Sequence, residues 1–165
     1  MKDGFVHAVC TSPQGGFPKY PQDQVVVHQY GIWDDYHCRE MRPHHKKPNV
    51  MLPNDRHITL VGFELLRDLE NLTGKEFPPG SLAENITTHG MGHLTGITTG
   101  TRIQIGENIM LFVSELNEPC KLLKAAHGEE AFKFCIHRRG LICVVEEGIG
   151  EVITPCMPIL LHPPM

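Results

Sequence analysis

The sequence predicts a mainly β chain folded as a barrel, with a few short helices at its periphery. Three observations carry this. Thirteen prolines and sixteen glycines cut the 165 residues into short pieces, and short punctuated pieces suit strands. Several pieces are apolar or alternating β-type runs, such as Ile109-Met110-Leu111-Phe112-Val113 and Leu141-Ile142-Cys143-Val144-Val145. Only two segments stand out as helical, which argues against a bundle or a doubly wound parallel sheet. The length fits one domain, residues 1–165, with a real core.

The elements follow in order. Residues 4–10 read as a first strand, with Phe5, His7 and Val9 on one face and Val6, Ala8 and Cys10 on the other. Both faces are mostly apolar, so the strand is central and His7 is a core histidine. Residues 11–19 form a loop in which Gly15 and Gly16 free the backbone and Lys19 adds a charge; the loop reads as a Gly-Pro turn or as an anion cradle. Residues 25–30 make a second strand. The turn at 31–37 gathers Trp33, Asp34, Asp35 and His37, and reads as a turn around a buried indole. Residues 39–55 are the least structured stretch, and His44-His45-Lys46-Lys47 is a solvated basic run or an anion-attracting loop. Residues 56–60 are a short strand. Leu65, Leu66, Leu69 and Leu72 then recur at helical spacing and Gly74 closes the helix. His89 and His93 are four apart, but Gly90 and Gly92 argue against a shared helix and hence a metal site. Residues 100–106 alternate and turn at Gly106-Glu107-Asn108 into a paired strand over 109–116. Residues 129–137 fit a short helix, 138–140 a basic turn, and 141–146 and 151–154 the last strands. Residues 155–165, with four prolines, are expected as an extended surface tail.

Composition excludes several function classes. A net charge of −4 gives no nucleic-acid footprint, and the Arg138-Arg139 pair is too small to make one. No apolar run reaches the roughly 18 residues of a membrane span. The N-terminal Met1-Lys2-Asp3-Gly4 has no apolar signal core. The six cysteines contain no Cys-x-x-Cys pair, so free thiols in a reducing cytoplasm are expected.

One cysteine stands apart. The strand over 109–116 runs into Asn117-Glu118-Pro119-Cys120 and a short helix that ends near Gly128. Asn117 or Glu118 suits the cap and Pro119 the first helical position. Cys120 then falls in the first turn, where free N–H groups and the positive end of the dipole favour thiolate. Thiolate attacks sulfur or ligates a soft metal. The competing reading is a small buried packing residue.

Several motifs also line up in one order: Gly15-Gly16-Phe17-Pro18-Lys19, the Gly31–His37 turn, Pro79-Gly80-Ser81-Leu82-Ala83-Glu84-Asn85, Gly100-Thr101-Arg102, Asn117-Glu118-Pro119-Cys120 and Arg139-Gly140-Leu141. Together they resemble the MOSC family, named for the C-terminal domain of molybdenum-cofactor sulfurase. The likeness runs over about residues 6–152, with 155–165 as a Pro-rich tail. It implies a MOSC-type β-barrel similar to the barrel of pyruvate kinase, with Cys120 as the family cysteine. That thiol either ligates molybdenum of a pterin cofactor (molybdopterin) or carries sulfur. Members that bind the cofactor resemble reductases of N-hydroxylated substrates. On this resemblance Lys19, Arg56 and Arg138, helped by the Gly15 and Gly16 backbone, neutralise the cofactor phosphate, and His37 and Asn85 bond the pterin or orient a small-molecule substrate. An electron-transfer protein or a cysteine desulfurase is the implied partner. Pyridoxal phosphate belongs to the larger parent sulfurase and is not expected in this chain. The family turn usually reads Gly-x-x-Gly-Asp-x-His, and its second glycine is Asp34 here. A sulfur carrier with a persulfide on Cys120, or a binding module without cofactor, are the alternative functions.

Overall fold

The structure is a computed structural model that describes residues 3–165. Met1 and Lys2, part of the stretch read above as lacking a signal core, lie outside the described residues. The strands are β1 (Gly4–Thr11), β2 (Tyr20–Gln22), β3 (Val25–His28), β4 (Gly31–Ile32), β5 (Met41–Pro43), β6 (Met51–Pro53), β7 (Ile58–Gly62), β8 (Ile86–His89), β9 (Arg102–Ile105), β10 (Ile109–Leu116), β11 (Leu141–Glu147), β12 (Val152–Ile153) and β13 (Pro158–His162). The helices are α1 (Phe63–Thr73), α2 (Lys121–His127) and α3 (Glu129–Cys135).

Seven strands close into a barrel in the order β13, β9, β10, β11, β7, β8, β1, with β1 paired back to β13. All neighbours are antiparallel except β7 and β8. A parallel pair needs a crossover connection, and α1 is part of the chain that makes it. Gly62 ends β7 and starts α1; a Cβ there would run into the carbonyl oxygen of Gly92, so only glycine fits. Of the four spaced leucines, Leu65, Leu66 and Leu69 are fully buried and Leu72 is 44% exposed; Gly74 closes the helix at φ 69°.

The barrel interior is filled by Val6, Val9, Leu60, Ile86, Ile103, Leu111, Val113, Cys143 and their neighbours. A second apolar cluster lies outside it, where Leu65, Leu66 and Leu69 of α1 meet Phe77, Leu82, Leu123, Ala131 and Cys135. This cluster seats α2 and α3, and with them the start of α2, against the barrel wall.

Several expectations are corrected. Strict alternation in β1 fails because the register against β8 shifts between Val6 and Ala8. The bulge sends both Val6 and Val9 inward. His7 is only half-buried and stacks on Phe63 with ring centroids 4.0 Å apart. Trp33 is 55% exposed, and the buried side chains of its turn are Ile32 and Asp35. The stretch read as least structured contains the β5–β6 hairpin. Most consequentially, the C-terminal segment is not a surface tail. β13 lies between β9 and β1 and completes the barrel, with Ile159 at 0% exposure. Among the described residues, no helix is long and apolar enough to cross a membrane.

Candidate functional site

The site is built where β10 hands the chain to α2. The Asn117 N–H donates to the Gly140 carbonyl at 2.9 Å, which ties the end of β10 to the start of β11. The chain then turns through Glu118 and Pro119. Cys120 is itself the cap residue of α2, extended at φ −117° and ψ 174° with no side-chain cap bond. This corrects the expected register, which placed the cap at Asn117 or Glu118 and Cys120 inside the first turn. At seven residues α2 is too short for its dipole to carry an argument, so the surroundings of Cys120 come from tertiary packing.

Those surroundings are an open sulfur beside a buried cation. Cys120 is exposed. Arg139, 8% exposed, points Nη1 at Cys120 Sγ, 3.8 Å away. The same Nη1 donates to the Glu118 carbonyl at 3.1 Å, and Nη2 donates to the Leu82 carbonyl at 3.2 Å. The guanidinium lies 5.3 Å over the Phe17 ring. Its Nε is buried and has no partner among the described residues. Burial lowers the Arg139 pKa, and the Cys120 side chain opposes that shift; a guanidinium still stays protonated.

Arg139 lines a cavity of about 170 Å³ together with Gly16, Phe17, His37, Arg56, Thr59 and Asn117. A second hollow of about 180 Å³ adjoins it, sharing His37 and Arg56 and adding Arg39, Arg42 and His45. Arg56 pairs with Glu115 and Arg42 with Asp55. Arg39 donates twice to the Tyr36 carbonyl, at 3.0 and 2.8 Å, and lies 4.0 Å over the Tyr36 ring. His37 is open to solvent on one side. Partial burial lowers its pKa to about 4, and Lys19, Arg39 and Arg56 push the same way against Asp35. The ring is therefore neutral at pH 7, inside a frame of positive charge.

Beneath this frame lies a buried ionic layer. Lys19 and Asp35 pair at 2.8 Å, with side chains 1% and 0% exposed. Asp35 also accepts the N–H groups of Ser12 at 3.1 Å and His37 at 3.2 Å, so one carboxylate locks the glycine loop to the His37 turn. Burial lowers the Lys19 pKa and Asp35 raises it. Asp34 has φ 66°, the left-handed conformation that suits glycine and that aspartate tolerates. Glu84, fully buried, accepts the Gly80 and Leu82 N–H groups at 2.8 and 3.1 Å and the Thr87 hydroxyl at 2.9 Å.

Of the residues singled out in the sequence, Gly16, His37 and Arg56 line the cavity and Cys120 touches its Arg139 wall. Gly15 packs under the Tyr36 ring. Lys19, Asn85 and Arg138 lie elsewhere. Lys19 is held in the ionic layer. Asn85 is 1% exposed; its Oδ1 accepts the Thr59 N–H at 3.2 Å and its Nδ2 donates to the Cys10 carbonyl at 3.2 Å, so it braces β7 against β1. Arg138 is exposed, donates to the Phe134 carbonyl at 3.1 Å and lies over the Phe134 ring. The sequence reading missed Arg139, Phe17 and Asn117 as cavity residues. A signal for Arg139 existed: it precedes Gly140, whose φ of 114° and close approach to the Leu60 carbonyl oxygen fix the backbone that aims it.

Comparison with known proteins places the fold. The sequence matches the MOSC domain family over residues 46–149. No curated protein matches it. The structure is similar to that of the YuaD protein from Bacillus subtilis, with TM-score 0.85, 19% identity, and 98% of this chain and 97% of that one covered. It is also similar to YiiM from Geobacillus stearothermophilus, at TM-score 0.68, 20% identity and coverages of 96% and 75%. YiiM from Escherichia coli gives TM-score 0.69 at 15% identity, covering 98% and 71%. At these identities the structural likenesses speak for the fold, and the match over 46–149 for the family: the chain belongs to the MOSC domain family.

Proposed function

We propose that this MOSC protein holds a molybdenum cofactor of the pterin type, with Cys120 as the soft ligand, and that it reduces N-hydroxylated small molecules. One observation carries the reading: an exposed thiol lies beside a buried guanidinium that faces a cavity and keeps an unpartnered Nε.

The residues present fit such a group. A thiolate is the ligand type a soft metal selects. Arg139 and Arg56, with neutral His37 and the Gly16 backbone, line the cavity and would hold a phosphate, since arginine forks match its oxygens. The two hollows that meet at His37 and Arg56 together reach the lower end of the roughly 300–1,000 Å³ range of small-molecule sites. When bound, the metal supplies two-electron redox chemistry. The chain's own part is to fix the ligand sulfur, to neutralise the cofactor's negative charge and to present a donor in His37. Reduction of an N–OH group consumes two electrons and two protons and releases water. No Cys-x-x-Cys pair exists in the chain, so the electrons come from a separate electron-transfer protein. Pyridoxal phosphate has no place in this reading, because the lysine beneath the cavity, Lys19, is tied to Asp35. Six free cysteines suit a reducing cytoplasm, where we place the protein.

The exposure of Cys120 also favours a second reading, a persulfide carrier loaded by a cysteine desulfurase, since that role needs an accessible thiol. Molybdenum and pterin analysis of protein made in a molybdenum-supplied host, beside Cys120→Ser, tests the first. Stoichiometric metal in the wild type, lost in the variant, is the expected result. Metal-free protein that acquires sulfur on Cys120 from a desulfurase would replace the first reading with the second. Neither metal nor sulfur would leave a binding module without cofactor.

A further inference from the structure

The hairpin of β5 and β6 carries the basic run His44-His45-Lys46-Lys47 at its turn, and its outer face is bare. It is a two-stranded sheet of its own, unpaired with the barrel. In its register Met41 lies opposite Pro53 and Pro43 opposite Met51, and all four residues are exposed. Arg42 and Leu52, on the other face, are half-buried. One whole face of the hairpin is thus apolar and open to solvent. The turn beside it is well fixed. The His44 N–H donates to the Val50 carbonyl and the Val50 N–H to the Lys47 carbonyl, both at 2.8 Å, and His44 Nδ1 accepts the Lys46 and Lys47 N–H groups at 3.1 and 3.2 Å. Asn54, buried, clamps the hairpin to the His37 turn: its Nδ2 donates to the His37 and Arg39 carbonyls at 2.9 and 2.8 Å. The charge is equally uneven. Residues 39–56 hold five lysines and arginines against two carboxylates, Glu40 and Asp55, so a chain of net charge −4 carries +3 here and −7 elsewhere. Asp55 is paired with Arg42, and Lys46 and Lys47 have no carboxylate partner among the described residues.

We propose that this face docks an acidic electron-transfer protein, with Met41 and Met51 at the centre of the contact and Lys46 and Lys47 at its rim. A two-stranded hairpin standing alone is marginal in water, and exposed methionine ringed by charge is the composition of a protein interface. Charge selects the partner. A positive patch on a negative body orients an acidic protein as it approaches and turns a basic one away. A second copy of this chain seated face to face would bring two basic rims together, so the partner is a different protein. A face of this size suits the contacts of transient redox encounters, which bury less than about 1,200 Å². Position suits the role as well, because Arg42 and His45 of the hairpin line the hollow that adjoins the Cys120 cavity. A one-electron carrier would dock twice per turnover, each copy leaving oxidised by one electron, to supply the two electrons that reduction of N–OH consumes. That the partner carries electrons rests on the proposed function; the docking face itself does not.

The test uses a plant-type ferredoxin, a small acidic one-electron carrier, as the probe and cytochrome c as its charge-reversed counterpart. Each is titrated into metal-free full-length protein followed by amide NMR. Ferredoxin is expected to shift the amides of Met41, Arg42, His45 and Met51 saturably. Its binding should be about tenfold weaker at about 0.5 M salt than at about 0.05 M, because exposed charges are screened. Cytochrome c should leave these amides in place. Lys46→Glu combined with Lys47→Glu, both exposed, should weaken ferredoxin binding by about tenfold. Met51→Ser should weaken it by about fivefold, a loss that charge alone would not produce. Cys120→Ser should bind ferredoxin as the wild type does, so a failure to find molybdenum removes the electron-carrying role and leaves the docking face standing. The face itself is overturned if ferredoxin shifts nothing, if its shifts map to α2 instead, or if cytochrome c binds equally well. It is overturned too if phosphatidylserine vesicles perturb the hairpin amides as strongly as ferredoxin does, which would make the face a membrane contact.

Discussion

Arg139 is held by two backbone carbonyls and a phenyl ring, and one of its donors remains unused. Leaving a buried donor unpaired costs about 1–3 kcal/mol, and a bound anion would recover it. His37 is the complementary case. Its pKa of about 4 lies below the unfolded value near 6.5. Between those two pH values the unfolded chain takes up a proton that the folded chain refuses. Stability therefore falls as pH drops from about 6.5 toward 4, and this contribution is flat outside that window. Urea midpoints across the window should fall less steeply for His37→Gln than for the wild type; equal slopes would contradict the account. Asp34 makes a third point. At φ 66° it occupies a conformation that glycine adopts freely, in the position where the family pattern has glycine. Asp34→Gly should leave stability unchanged or raise it by up to about 1 kcal/mol, measured by urea unfolding. A loss of more than that would mean its side chain has a role the turn geometry does not show.

At the scale of elements, the reading succeeded where the physics is local. The buried Leu65, Leu66 and Leu69 of α1 and the hairpin of β9 and β10 follow from periodicity and turn chemistry within a dozen residues. It failed where the deciding partner is distant. Prolines at its ends make β13 read as a tail, yet Ile159-Leu160-Leu161 between them is an apolar run that pairs with β9. Pro158 is tolerated at the first position of that strand, where its carbonyl accepts the Gly106 N–H. Ile159→Ala separates the two descriptions. As part of the barrel wall it should cost about 2–5 kcal/mol in denaturant unfolding; a surface tail would show a change within about 0.5 kcal/mol. The choice of Arg138 over Arg139 has a similar cause. Both lie in one basic turn, and what holds Arg139 inward, the Glu118 and Leu82 carbonyls and the Phe17 ring, comes from distant parts of the chain. Lys19 and Asn85 are polar residues in family motifs, and the sequence could not distinguish a ligand from a buried brace, because both roles call for a donor at that place in the chain.

For the whole molecule, a net charge of −4 conceals a strong local imbalance. Arg39, Arg42, Arg56 and Arg139, from three separate segments, converge on the hollows beside Cys120, whereas the hollow across Asn117, walled by Leu94, Ile97 and Leu116, carries the Glu118 carboxylate. The barrel brings this about by closing β13 against β1 and by setting β10 and β11 so that Asn117 and Gly140 meet. The account depends on the Cys120 sulfur reaching a metal at that convergence. X-ray absorption at the molybdenum edge, on wild type and Cys120→Ser purified from a molybdenum-supplied host, tests this most directly. The wild type should show one sulfur neighbour more than the pterin provides, and the variant should lose it or lose the metal. Identical spectra and metal content in both would contradict the claim that Cys120 is the ligand.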